Sequence, residues 1–106
     1  QTGETDIAAD DVLGKIEFQA PDEGTGTDAV LVAAGIAATS EGDFSASSNA
    51  TKLSFRTAAS ESATEKMSLS SAGNLTVSGT VTATAGSTLL IKNAAGSTLK
   101  TVKGIS

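Results

Sequence analysis

Ala29-Val-Leu-Val-Ala-Ala-Gly-Ile-Ala-Ala-Thr39 decides the fold class, because it supports two readings. Its alanines favour a helix. Against that, Val30, Val32, Ala34, Ile36 and Ala38 alternate with their neighbours, as in a strand. Gly35 in the middle weakens a helix by about 1 kcal/mol, and the strand is the preferred reading. With it the whole chain becomes all-β.

The flanking segments agree. Val12-Leu-Gly-Lys-Ile-Glu-Phe18 alternates, with Val12, Gly14, Ile16 and Phe18 on one side and Leu13, Lys15 and Glu17 on the other. Pro21 to Thr27 has loop composition, with proline fixing one dihedral and glycines permitting unusual ones. Gly42–Thr51 reads as a polar loop. Lys52–Thr57 reads as a short strand with Leu53 and Phe55 inward. Ser62-x-x-Glu65 has the form of a helix capping box, but Met67 and Leu69 around Ser68 have strand spacing, and a helix nucleus over so few residues is costly. Leu75, Val77, Gly79, Val81 and Ala83 alternate with Thr76, Ser78, Thr80, Thr82 and Thr84, which predicts a ten-residue strand rich in β-branched side chains.

Ala85-Gly-Ser-Thr-Leu89 recurs as Ala95-Gly-Ser-Thr-Leu99, with a partial echo at Ala72-Gly-Asn-Leu75. Asn93-Ala-Ala-Gly96 has turn chemistry, so Leu89–Lys92 and Thr98–Val102 are expected to be the arms of a hairpin. Two copies do not make a solenoid. The expected organisation is a linking or frayed segment over 1–11, a β-rich domain over 12–84, and a C-terminal hairpin over 85–106.

Composition limits what such a chain can do. Of 106 residues, Ala, Thr, Ser and Gly supply 58, whereas Leu, Val, Ile and Phe together supply 22. That apolar content sits just above the level at which chains fail to fold for want of buried surface. A thin, layered or self-associated structure uses it best. There is no Cys and no His, which removes disulfides, thiolate chemistry, the commonest metal ligand and the usual general base. No apolar run reaches the length of a membrane span. All twelve acids lie between Glu4 and Glu65 with three basic residues among them, a charge of −9; residues 66–106 carry four lysines and no acid, +4. Such polarity fits contacts between copies or simple solubility. An acidic chain without Tyr or Trp is a poor partner for nucleic acid.

Candidate chemistry is sparse. Asp22, Glu23 and Asp28 stand on a glycine-containing loop and form a weak candidate for calcium. The Gly24-x-Gly26-x-Asp28 spacing resembles half of a calcium-binding repeat that needs stacked copies, and there is one copy here. Gly24 and Gly26 lack the third glycine or Gly-Lys-Ser/Thr of a phosphate cradle. Asn49-Ala-Thr51 and Asn74-Leu-Thr76 fit the glycosylation sequon, as a Thr-rich chain does by chance. No catalytic set and no cofactor site is expected.

Leu13-Gly-Lys-Ile-Glu-Phe18, Thr51-Lys-Leu-Ser-Phe-Arg-Thr-Ala58 and Glu65-Lys-Met-Ser-Leu69 followed by Gly73-Asn-Leu-Thr-Val77 resemble, in order and spacing, the repetitive regions of bacteriophage tail fibre and related virion proteins, marine phages especially. The likeness runs from about Asp10 to Gly79. Lys66 stands where the pattern usually has Arg, Ser78-Gly-Thr departs from the usual continuation, and a terminal self-cleaving chaperone domain is absent from this sequence. The resemblance implies an intertwined homotrimeric β-prism or fibre-like assembly. In it Leu13, Ile16, Phe18, Leu53, Phe55, Met67, Leu69, Leu75 and Val77 pack within or between chains, and Gly73-Asn74 forms a turn.

It also implies a non-enzymatic structural protein, in the virion or extracellular, whose partners are copies of itself and other virion proteins. A receptor- or glycan-binding fibre tip, touching host surface glycan, is a second reading. A capsid decoration protein or a subunit of a non-phage extracellular filament is a third.

Overall fold

The structure, a computed structural model, describes residues 1–21, 24 and 26–103, the last five by backbone alone. Strands β1 (Val12–Phe18), β2 (Ala34–Ser40), β3 (Thr51–Thr57), β4 (Thr64–Leu69) and β5 (Leu75–Val77) form one antiparallel sheet in the order β1-β2-β3-β4-β5. Strands β6 (Thr88–Lys92) and β7 (Thr98–Lys103) pair as a separate hairpin. The fold is all-β. Among the described residues the one helical feature is a single 3-10 turn, Asp28–Val30, so the segment that decides the class splits into a tight turn and then the expected strand.

Each connection in the sheet joins neighbours, so contacts are local and register is set strand by strand. Ile16, Ile36, Phe55, Met67 and Val77 lie in one cross-strand row, and Gly14, Ala38, Leu53, Leu69 and Leu75 in the next. The side chains of a strand alternate between faces, so both rows share one face. The opposite face carries Lys15, Ala37, Ser54, Ser68 and Thr76 in one row and Glu17, Gly35, Arg56 and Glu65 in another. Two bulges adjust this pattern. Lys66 is the extra residue between Met67 and Glu65, without which β4 would put Glu65 on the apolar face. Leu13 is the extra residue between Val12 and Gly14. That irregularity corrects the simple alternation expected for β1: Val12 lies opposite Thr39 in a polar row, and Leu13 borders the same hollow as Gly14 and Ile16.

Two further expectations change. The ten-residue strand from Leu75 to Thr84 stops at Val77. Alternation satisfies one condition for a strand, but a hydrogen-bonding neighbour is the other. The Ser78 N–H and hydroxyl both donate to the Lys66 carbonyl at the bulge, and the chain then leaves the sheet. The segment 1–11, expected to be frayed or linking, is tied to one end of the sheet. Asp10 N–H donates to the Ser40 carbonyl at 2.9 Å, Ser40 N–H to Asp11 at 2.8 Å, and Phe44 N–H to Ile7 at 2.8 Å. The Ser40 hydroxyl also donates to the Ala8 carbonyl. Across that same end, Ser71 donates through its N–H and hydroxyl to the Glu41 carboxylate, at 3.1 and 2.5 Å, linking the β2–β3 loop to the β4–β5 turn. Gly73 sits in that turn at φ +86°, next to Asn74.

The molecule is a slab, 49 × 45 × 17 Å, with a radius of gyration of 18.4 Å. A compact domain of this length has about 13 Å. Its accessible surface is 7629 Å², against about 5,400 Å² for a folded monomer of 10.4 kDa.

Candidate functional site

In this sheet the usual sidedness is inverted. Gly35, Ala37 and Ser54, on the face with the charges, are sealed: Ala37 is 2% exposed and Ser54 0%. Their small size lets other groups lie over them. Val32 and Ala63, whose loops are joined by an Ala63 N–H to Val32 carbonyl bond of 2.8 Å, border Gly35 and Ala37 together with Lys15, Glu17 and Arg56. A Cβ on Gly35 would stand 2.9 Å from the Ile16 carbonyl oxygen, so only glycine fits there without moving β1.

Charges on this face pair with one another. Lys52 meets Glu65 at 3.1 Å and Lys15 meets Glu17 at 3.3 Å; Arg56 Nε donates to the Ser54 hydroxyl at 3.4 Å. Glu65 is held below the ordinary glutamate pKa, chiefly by a hydrogen bond from Ser54, with Lys52 adding to the effect and desolvation opposing it. Glu41 is lowered likewise by its two bonds from Ser71.

The sign of the resulting pH dependence is fixed. Folding lowers the Glu65 pKa, so its contribution is complete above the unfolded value of about 4.3 and is lost as pH falls through the lower folded value. Urea midpoints should therefore fall below about pH 4.3, and Ser54→Ala should make that decline shallower. An unchanged acid slope in Ser54→Ala would remove Ser54 as the cause.

The other face bears the large apolar side chains, and they are open. Leu75 is 63% exposed, Ile16 60% and Phe18 54%; Ile36, Leu53 and Leu69 are also exposed. Phe55, Met67 and Val77 are half-buried by one another across the strands. Eight of the nine packing residues implied by the resemblance, from Ile16 to Val77, therefore meet on one surface. Leu13 lies at its margin through the bulge.

Sequence reasoning missed the middle of this surface. β2 supplies Ile36 with Ala34 and Ala38, which join the β1 residues to those of β3. Their alternation was visible, but the side they share with Ile16 and Phe55 follows only from register. No charged side chain falls in either apolar row. Over Ala38 the face has an open depression of about 460 Å³, bordered by Leu13, Ile16, Ile36 and Leu53 and also by Lys15 and by Gln1, whose backbone nitrogen lies 2.9 Å from where a Gly14 Cβ would stand.

The remaining candidates stay apart from this surface. Of the proposed calcium loop, Asp22 and Glu23 lie outside the described residues, and Asp28 is exposed in the 3-10 turn. Among the described residues no three carboxylates cluster as a metal site, and no helix is long and apolar enough to cross a membrane. The hairpin β6–β7 leaves Leu89, Leu90 and Ile91 exposed. No family model matches the sequence, and neither a curated protein nor a solved structure matches it.

Proposed function

We propose that the chain is a non-enzymatic structural protein that works by self-association, a homotrimeric β-rich element of a phage tail fibre or virion appendage. The observation that carries this reading is the exposed apolar face of the five-stranded sheet, whose two large apolar rows hold no charged side chain. Exposed continuous patches of this kind mark contact surfaces. The area agrees: each chain exposes roughly 2,200 Å² more than a monomer of its mass, and a standard interface takes about 800 Å² from each partner. The excess suits a copy that touches more than one neighbour. The hairpin points the same way, since an isolated two-stranded hairpin is marginal in water and three adjacent large apolar residues on β6 stand exposed.

Stiffness would then come from sheets held face to face, with small residues allowing close approach and the charged face turned to solvent. Purified protein is expected to sediment at about three times 10.4 kDa and to resist SDS at room temperature. A folded 10.4 kDa monomer at all accessible concentrations overturns the proposal.

A further inference from the structure

The apolar face is a wedge. Along the row Gly14, Ala38, Leu53, Leu69, Leu75, side-chain size rises from nothing at β1 to leucine at β3, β4 and β5. The hollow lies over Ala38 at the thin end, beside Gln1, whose backbone lies over Gly14, and Leu75, the most exposed residue of the row, marks the thick end. From this geometry we infer that the occupant of the hollow is a second copy of this chain, with the β4–β5 half of one face seated on the β1–β2 half of the next and Leu75 entering the depression over Ala38. The inference rests on the self-association reading and deepens it.

Three observations select this partner. Facing sheets pack about 10 Å apart with interdigitated side chains. Two wedges stacked thick on thick would be held apart at one side and leave voids at the other, whereas thick on thin keeps that spacing across the whole contact. The two apolar rows carry no charged side chain, so what covers them must present apolar surface, and the same rows of a second copy do so over an equal area. That area is about 500 Å² in projection, from five strands about 4.8 Å apart and six residues at about 3.3 Å each. Contact of one half with the other half of the next copy is heterologous, and such contacts close into a ring when the rotation permits. Each copy then covers its whole face using two neighbours.

The test is a double-mutant cycle on association, read by sedimentation velocity over a concentration series, with circular dichroism to verify folding. Ala38→Phe fills the hollow and should weaken association about tenfold or more by colliding with the incoming leucine; Leu75→Ala leaves the hollow empty and should cost a similar factor. In the double variant Phe at 38 takes the space that Leu75 vacated. It should associate more tightly than the poorer single variant, within about threefold of wild type. A double variant as weak as the poorer single, or weaker, overturns the wedge arrangement. Should Ala38→Phe fail to fold, Ala38→Leu replaces it in the same cycle. Wild-type protein that stays monomeric throughout is a different result: it removes the self-association reading itself, and this inference with it.

Discussion

Replacing Ile36 by lysine is expected to leave the sheet folded and to reduce the assembly to subunits of 10.4 kDa. Ile36 sits between Ile16 and Phe55 in the middle of the exposed apolar face. It is 37% exposed in the single chain, so a lysine there can extend its ammonium group into water as long as no neighbour covers it. Covering it is another matter. No carboxylate lies in either apolar row to pair with it, and an uncompensated charge taken out of water costs several kcal/mol. Association should weaken at least about 100-fold, since each 1.4 kcal/mol is a factor of ten. Thr76→Lys is the matched control: it makes the same charge change on the opposite face, in the row with Lys15 and Ser54, and should leave the mass of the assembly unchanged. Sedimentation of the two variants side by side decides the matter. Equal behaviour of both would mean that the apolar face is not where copies meet.

What the amino-acid pattern revealed and what it withheld have separate physical causes. Alternation is a local property, so β1, β3 and the arms of the hairpin were legible from a few residues each, whereas the Gly73-Asn74 turn was implied only by the resemblance. The Ala-rich segment 29–39 was legible once Gly35 was weighed against its alanines. Pairing is not local. Nothing in Leu75–Thr84 announces that its neighbour strand bends away at Lys66, so a ten-residue alternation shrinks to the three residues that find a partner.

Bulges are equally hidden. Lys66 reads as one more polar residue, yet as the extra residue it keeps Met67 and Glu65 on opposite faces. The inversion of sidedness was half legible: a poor apolar count predicted too little buried surface, but not that the buried places would go to Gly35, Ala37 and Ser54. Those three look like surface residues by composition. They are sealed because their neighbours are long enough to lie over them, a fact that belongs to register and not to residue type.

The same dependence on register makes Gly35→Val the substitution with the largest expected effect on the fold. Gly35 is buried and faces Glu17 on β1 and Arg56 on β3. Its missing Cβ leaves room for the Ile16 carbonyl oxygen, which an added carbon would meet at 2.9 Å. That obstacle is backbone, so it yields only if β1 shifts away from β2. Overpacking of this kind costs about 1–3 kcal/mol, a large share of the roughly 5–15 kcal/mol that holds a typical domain folded. At about 4–8 °C per kcal/mol for a chain of this size, the melting temperature should fall by about 10 °C or more. Gly42→Ala, where no other heavy atom lies within 4 Å of the added carbon, should shift it little. Both are compared at one protein concentration, because assembly raises the apparent stability by mass action. The valine variant should also associate less well, since β1 carries Gly14, Ile16 and Phe18 and borders the hollow. A valine variant that melts with wild type would show that β1 and β2 do not approach as closely as the register requires, and the thin end of the apolar face would lose its basis.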